Sequence, residues 1–225
     1  MNVDNCQFNP LIFVPSIRTI KKVWESIDKL PYDKFIVKNH LETTAYQLGH
    51  NFFLKHDEYT HIVICPDDLV IDTVNFDMLK SDIIKHGFNN LSGVCVVDEI
   101  NVDDSNVMYA CVPKGADWHE WFRKVKTRNR HQLLPKTIFQ AGFTGYACQF
   151  INRELAGKLS FTGALDNKKT ALDRQMAIEM NELNIPMMVQ PNAIFRHMNR
   201  NQRKEMMKFV RGNDGSGGTV RFEKY

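Results

Sequence analysis

The chain has 225 residues, of which 43% are hydrophobic and 24% are charged, and its formal net charge is +3. A chain of this length buries a large core without disulfides, and so small a charge gives no strong signal for nucleic acid or a membrane. Five widely spaced cysteines without a CxxC pair argue against a zinc site and predict buried free thiols. No apolar run reaches membrane-spanning length, and no secretory signal pattern is present, so we expect a cytoplasmic protein.

The first 65 residues alternate between strand and helix patterns. Continuous apolar runs predict strands at 10–14, 35–37 and 61–65. Helical spacing of apolar residues predicts helices at 16–30 and 42–56, the first capped by Ser16 or Thr19. With short connections, this order favours parallel strands joined by right-handed crossovers.

The remainder of the chain continues the same mixture. Further helices are predicted around 76–87, 153–159 and 170–184, and further strands at 92–97, 107–112, 137–151 and 186–190. Together these elements predict an α/β fold, a three-layer α/β/α sandwich around a mainly parallel central sheet. We expect one domain over 1–211 and a flexible Gly-rich tail over 212–225.

The most informative segment is HIVICPDDLVI, in which an apolar strand ends in Asp67 and Asp68. Ligands bind beyond the carboxyl ends of strands in open parallel sheets. Two carboxylates at that position suit Mg²⁺ or Mn²⁺, which prefer oxygen ligands and bridge carboxylates to phosphates. The alternative is a plain turn, because Pro-Asp-Asp is common turn chemistry.

This arrangement resembles the nucleotide-binding half of GT-A glycosyltransferases, here residues 8–112. In that family the third strand ends in a DxD motif that binds the metal and the diphosphate. The resemblance implies that Asp68 is a metal ligand and that Asp67 contacts the ribose or the sugar. Pro66 stands where the motif has its first Asp.

The segment FVPSIR directly follows the first strand. In the family this position meets the nucleobase and the ribose, which makes Pro15, Ser16 and Arg18 candidate nucleotide contacts. The alternative is that Ser16 caps the first helix and Arg18 is solvated.

The second half, residues 113–198, resembles the acceptor and catalytic half of family 2-like members. In GFTGYACQFINRELAGKL the resemblance implies that Gly142 and Gly145 line the sugar and acceptor cleft. Glycine lets a ligand approach the backbone closely. The alternative is a β-bulge or a bend.

The segment from Leu172 to His197 resembles the family's last motif. Asp173 matches the catalytic base of inverting members, and His197 matches a histidine that completes the metal or diphosphate site. Leu172 replaces an acidic residue of the motif. Asp173 also fits a capping box with Thr170, and Asp166 is the reserve candidate for the base.

The resemblance implies a glycosyltransferase of the family 2-like, GT-A type. It would move a sugar from a nucleoside-diphosphate sugar to an acceptor hydroxyl, assisted by Mn²⁺ or Mg²⁺, and we expect inversion. The acceptor class, whether glycan, lipid, protein or another molecule, stays open. Departures at Pro66 and Leu172 suggest the alternative of a catalytically degenerate nucleotide-sugar-binding protein on the same scaffold.

Three further features carry open alternatives. The basic run 123–131 is either a solvated surface or a contact to nucleic acid. Trp118 and Trp121 belong either to the core or to a stacking platform for a sugar or base. The basic segment 199–209 is a terminal helix, a lid over the diphosphate, or a peripheral contact to an anionic membrane.

Overall fold

The computed structural model describes residues 8–96, 111–117, 120–121, 131–161, 172–198 and 218–225. The strands are β1 Pro10–Ser16, β2 Lys34–Lys38, β3 His61–Ile64, β4 Leu69–Val70, β5 Asn90–Val96, β6 Cys111–Pro113, β7 Phe139–Thr144, β8 Gln149–Asn152, β9 Met187–His197 and β10 Thr219–Glu223. The helices are α1 Lys21–Asp28, α2 Glu42–Lys55, α3 Thr73–His86, α4 Arg153–Ala156 and α5 Leu172–Glu182, with a short 3-10 helix at His131–Leu133.

The strands form one ten-stranded sheet in the order β10-β2-β1-β3-β8-β5-β9-β7-β6, with β4 paired to β9. β1 runs parallel to β2 and β3, and β5 runs parallel to β9. The other described pairs are antiparallel. The α/β class is therefore confirmed, whereas the mainly parallel sandwich is not, because the sheet is mixed.

β8 comes from the second half of the chain but lies between β3 and β5 of the first half. The two halves that the sequence suggests, 8–112 and 113–198, therefore share one sheet. The first three strands, β1 to β3, do form the parallel group that the alternation of elements predicts.

Both faces of the central strands are covered. Along β1, Leu11 and Phe13 join one apolar cluster, and Ile12 and Val14 join the other. The first cluster includes residues of α2, α4 and α5, and the second includes residues of α1 and α3. Each fully buried side chain of this kind stabilises the fold by about 1.5–3 kcal/mol. Burial on both sides explains why β1 is a continuous apolar run.

The helix boundaries follow local chemistry in α3 but not in α1. The Asp72 side chain accepts hydrogen bonds from the first turn of α3, and Gly87 ends this helix with a φ of 64°. α1 begins only at Lys21 and has no side-chain cap. The Ser16 hydroxyl donates instead to the Arg18 carbonyl, at 3.2 Å. The prediction that Ser16 or Thr19 caps this helix is wrong.

The end of the chain differs from the prediction of a flexible tail over 212–225. Residues 219–223 form β10, which pairs antiparallel with β2. The glycines before it suggested a loop, and the strand pattern TVRFE is too short to identify without its partner strand. Residues 212–217 lie outside the described part of the chain.

The predicted free thiols are confirmed where the structure describes them. Cys65, Cys111 and Cys148 are buried, and Cys95 is partly buried, all as free thiols; Cys6 lies outside the described residues. Among the described helices, none combines the length and the apolar character needed to cross a membrane.

Candidate functional site

The site begins where β3 ends. Residues 67 and 68 form a turn, which the bond from the Leu69 amide to the Pro66 carbonyl closes at 3.2 Å. The following β4 pairs with the end of β9, with Leu69 opposite His197. The Met198 amide also donates to the Asp68 carbonyl, at 2.7 Å. Main-chain pairing thus brings together two residues that are distant in sequence, Asp68 and His197.

Asp67 holds the loop that follows β1. Its Oδ2 atom accepts hydrogen bonds from the amides of Ile17, at 2.7 Å, and Arg18, at 2.5 Å. Its Oδ1 atom accepts from the Arg18 guanidinium at 3.0 Å. The turn interpretation of Pro-Asp-Asp is therefore correct but incomplete, since the Asp67 carboxylate also ties β3 to the loop after β1.

Asp68 lies between two cationic or potentially cationic groups. Its Oδ2 atom is 2.5 Å from Arg18 Nη1 and 3.1 Å from His197 Nε2. The side chains of Arg18, Asp67 and Asp68 are at most 10% exposed. We call these four residues, Arg18, Asp67, Asp68 and His197, the Arg18 cluster. The alternative that Arg18 is solvated is wrong.

The pKa values of the two carboxyls of the Arg18 cluster shift in opposite directions. Burial raises the pKa of Asp67, and the Arg18 charge and the two amide hydrogen bonds only partly oppose it. Burial also acts on Asp68, but the hydrogen bond and charge of His197, together with Arg18, outweigh it and lower the pKa of that carboxyl. Asp68 is therefore held as the anion, as a ligand of a cation must be.

A second group, electrostatically coupled to this cluster, includes residues in the first turns of α2 and α5. Tyr46, one turn after Glu42 on α2, stacks on Tyr146 with ring centroids 5.2 Å apart. Asp173, in the first turn of α5, acts electrostatically on Glu42, Tyr46 and Tyr146. We call these four residues, Glu42, Tyr46, Tyr146 and Asp173, the Glu42 cluster.

Both carboxyls of the Glu42 cluster resist ionisation. Although Glu42 keeps solvent contact, desolvation by the surrounding protein, the charge of Asp173 and that of Asp68 raise its pKa to about 7, against the opposing charge of Arg18. Burial raises the pKa of Asp173 to about 6. Carboxyls that titrate near neutral pH are suited to proton transfer.

The charges of Asp68 and Asp173 both act on Glu42 and on Tyr46. Glu42 and Tyr46 are therefore under the electrostatic influence of both carboxylates. Sequence reasoning missed Glu42, Tyr46 and Tyr146. A usable signal was present for Glu42, which follows the carboxyl end of β2, next to the end of β1, where ligands of such sheets bind.

The remaining candidates differ in how close they lie to these two clusters. Pro15 and Ser16 end β1, directly before the loop that Asp67 holds. Gly142 lies inside β7, and its carbonyl accepts from Asn181 of α5 at 3.4 Å. Gly145 is buried and directly precedes Tyr146 of the Glu42 cluster. Pro15, Ser16 and Gly145 thus adjoin residues of the clusters, whereas the contact of Gly142 is with Asn181 in the last turn of α5, eight residues beyond Asp173.

The metal donors are few. Within the described ranges, no group of three or more His, Cys, Asp and Glu side chains could hold a metal ion. Asp68 and His197 supply one oxygen and one nitrogen side by side. Mg²⁺ commonly uses one or two protein carboxylates and takes its other ligands from water and phosphate. A metal at this pair would take most of its ligands from water and phosphate, and it would share the Asp68 Oδ2 atom with Arg18.

Several sequence-based candidates lie outside the described residues. They are Thr170 of the capping box, the reserve base Asp166, Trp118, the basic run 123–130 and the segment 199–209. Trp121 is described, and it is buried in the same apolar cluster as Tyr46. This agrees with the core alternative for that tryptophan.

Comparisons with known proteins give a likeness in fold only. No family model and no curated protein matches the chain. The crystal structure of A197 from STIV is similar, with a TM-score of 0.52 and 12% sequence identity, over 86% of this chain and 96% of that one. At this identity the similarity concerns the fold and carries no statement about activity.

Proposed function

We propose that this protein is a glycosyltransferase of the GT-A type that moves a sugar from a nucleoside-diphosphate sugar to an acceptor hydroxyl. The observation that carries the proposal is the Arg18 cluster. A strand-end acidic pair, the loop after β1 and a histidine of β9 meet at the carboxyl ends of parallel strands. That is where open α/β sheets bind nucleotides.

The fold gives further support. β2, β1 and β3 lie side by side and parallel, and helices pack on both faces of the sheet. This agrees with a GT-A nucleotide-binding half, to which the antiparallel strands β8 and β7 are added. Free thiols at the described cysteines agree with a cytoplasmic location.

The Arg18 cluster has the charges needed near a departing diphosphate. Asp68 and His197 would hold Mn²⁺ or Mg²⁺, which when bound neutralises charge on phosphate oxygens. Arg18 is anchored by both aspartates, which balance its charge, so the positive charge at the diphosphate would come from the bound metal. Asp67, whose hydrogen bonds run to the β1 loop, orients the residues that we assign to the nucleoside.

The Glu42 cluster has the groups needed at the acceptor. An acceptor hydroxyl must lose a proton as it attacks the sugar, and a carboxylate takes that proton best when its pKa lies near the working pH. Asp173 meets this condition, with a pKa raised by burial to about 6. Glu42 meets it as well, and it is the second candidate for the base.

A second function is favoured by one observation. The Asp67 carboxylate is committed to the β1 loop, and Arg18 already occupies an Asp68 oxygen. With Pro66 and Leu172 in place of two acidic residues, these bonds also suit a protein that binds nucleotide-sugars without transferring them. Binding without turnover would identify this alternative.

Thermal unfolding with a panel of nucleoside diphosphates, with and without Mn²⁺, tests the binding site. A ligand at about 100 times its dissociation constant adds about 2.7 kcal/mol, which raises the Tm of a chain of this size by about 5–10 °C. We expect Asp68→Asn and His197→Gln to abolish the shift. Asp57→Asn, which changes an exposed carboxylate at the end of α2, is the matched control.

Activity then separates the two candidate functions. In a transfer assay with the nucleotide-sugar that binds, Asp173→Asn should abolish turnover and leave the thermal shift intact. If no nucleotide shifts the Tm of the wild-type protein, the assignment of the Arg18 cluster to a diphosphate is wrong.

A further inference from the structure

The free edge of β10 is a surface that the proposed activity does not use. Within the described ranges, β10 is the last strand on one side of the sheet. Its apolar residues stay open to solvent, Val220 at 48% and Phe222 at 41% exposure. An exposed edge strand with apolar side chains is a template for pairing with another chain.

The hydrogen bonds of β2 fix which way the backbone of β10 points. The Ile12 amide donates to the Asp33 carbonyl at 2.9 Å, and the Asn39 amide donates to the Ser16 carbonyl at 2.8 Å. Both bonds join β1 and the odd-numbered residues of the β2 segment. Because main-chain groups alternate along a strand, the even-numbered residues of β2 face β10.

The pairing register between β2 and β10 determines which residues of β10 face β2. The partners of the even-numbered β2 residues are Thr219, Arg221 and Glu223, so their main-chain groups point toward β2. The N–H and C=O groups of Val220 and Phe222 therefore point away from the sheet. A strand added at this edge would form its hydrogen-bonded pairs at those two residues.

One antiparallel register at this edge is self-complementary. If a twofold axis passes beside Phe222, the two copies of Phe222 form a hydrogen-bonded pair. Arg221 then lies opposite Glu223 of the second copy, and the two opposite-charge pairs are related by the axis. Arg221 already forms an ion pair with Glu223 along its own strand, so both side chains lie on one face of β10.

Phe222 adds an apolar contact on the other face. Its ring packs against Phe52 of α2, with centroids 5.2 Å apart, and the rest of the ring remains exposed. In the self-complementary register, the second Phe222 covers this exposed part. Opposite charges on one face and aromatic rings on the other both favour the same twofold register.

We propose that β10 is a homodimer interface, in which a second copy of this chain adds its own β10 antiparallel across a twofold axis at Phe222. The two ten-stranded sheets become one continuous sheet. An interface of a single short strand is small, so the dimer is expected to form in the micromolar range. This inference does not depend on the proposed function.

Sedimentation velocity, from low micromolar to several hundred micromolar protein, tests the association. Residue-resolved amide exchange over the same range tests the edge. With rising concentration, protection should increase at the Val220 and Phe222 amides, whereas Arg221 should be protected throughout by β2. A chain that stays monomeric, or a dimer without this alternating protection, overturns the proposal.

Charge exchange tests the register. Arg221→Glu and Glu223→Arg each place like charges opposite one another and should weaken the dimer by about tenfold or more. The double variant restores opposite charges and should restore the dimer. Val74→Lys removes an exposed apolar residue of α3 and is the matched control, which should leave association unchanged. A dimer that the single charge variants do not weaken lies at another surface, and the proposal is then wrong.

Discussion

The two clusters of the candidate site treat negative charge in opposite ways. In the Arg18 cluster, Asp68 is in direct contact with a guanidinium and an imidazole, and its pKa is lowered despite burial. In the Glu42 cluster, desolvation by the surrounding protein outweighs the lowering influences, although Glu42 itself keeps solvent contact, and the pKa values rise to about 7 at Glu42 and about 6 at Asp173.

The difference separates two tasks that the proposed transfer reaction requires. A carboxylate that stays ionised can hold a cation or orient a cationic side chain over a wide pH range. A carboxyl that titrates near neutrality can accept and return a proton. At Asp68 the contacts with His197 and Arg18 outweigh burial, whereas at Asp173 burial outweighs the backbone hydrogen bonds and the charge of Arg174, and this is the physical origin of the contrast.

The largest effect is expected when the cation of the Arg18 cluster is removed. Arg18→Ala leaves two buried carboxylates without their guanidinium partner, which should lower the free energy of unfolding by about 3–5 kcal/mol. Lys21→Ala, which breaks the exposed pair with Glu25, is the control, with an expected loss below about 1 kcal/mol. Urea unfolding measures both. Equal losses of unfolding free energy in the two variants would mean that the buried ion pairs of Arg18 contribute no more to stability than an exposed pair.

A smaller effect is expected when the strand that carries His197 is displaced. A Cβ atom at Gly93 would lie 2.4 Å from the Phe195 ring and 2.5 Å from the Ala193 carbonyl. Gly93→Ala should therefore shift β9 and destabilise the fold by about 1–3 kcal/mol. Gly157→Ala is the control, since the nearest atoms there are 3.5 Å away.

This glycine also distinguishes the clusters. The shift of β9 in Gly93→Ala would act on the contact between His197 and Asp68 in the Arg18 cluster. The carboxyls of the Glu42 cluster lie on α2 and α5, which this shift does not involve directly. Calorimetric unfolding should show the loss in Gly93→Ala with little change in its pH dependence. A neutral Gly93→Ala would show that β9 adapts without strain.

The smallest effect is a pH dependence that comes from the Glu42 cluster. The pKa of Glu42 rises from 4.5 to about 7 on folding, so in this interval the folded state binds more protons than the unfolded state. Stability should therefore fall as the pH rises through it. Glu42→Gln should reduce this fall, by less than about 1 kcal/mol because the side chain keeps solvent contact.

Urea unfolding across that pH interval measures the effect. Glu154→Gln is the matched control of opposite sign, since the Lys158 ammonium lowers the pKa of Glu154. It should leave the fall unchanged or make it slightly larger. A fall that is the same in wild type and Glu42→Gln would assign the pH dependence to other groups.

Much of the fold and part of the site could be predicted from the sequence. The apolar runs of β1 to β3 and the periodicity of α2 are local signals, and the structure contains these elements within one or two residues. The acidic pair at the end of β3 was recognisable for the same reason. Asp68 and His197 were expected to meet, and they do, at 3.1 Å.

What could not be predicted depends on pairing between distant segments. The antiparallel insertion of β8 between β3 and β5 leaves no mark in the local pattern, because a doubly buried strand reads the same in either direction. β10 was missed because so short a strand can be recognised only from its pairing with β2, which the local sequence does not show. Arg18 looked solvated because its partners lie about fifty residues away.

The pairing of β4 with β9 has a consequence for how the sequence of this region can evolve. The Met198 amide and the Asp68 carbonyl are joined by a main-chain hydrogen bond. The pairing of the two segments therefore does not depend on their side chains. Side chains alternate along a strand, however, and one residue inserted between Ile194 and His197 would turn the imidazole to the opposite face. Related sequences should therefore keep the length of this stretch constant even where the types of its exposed residues vary.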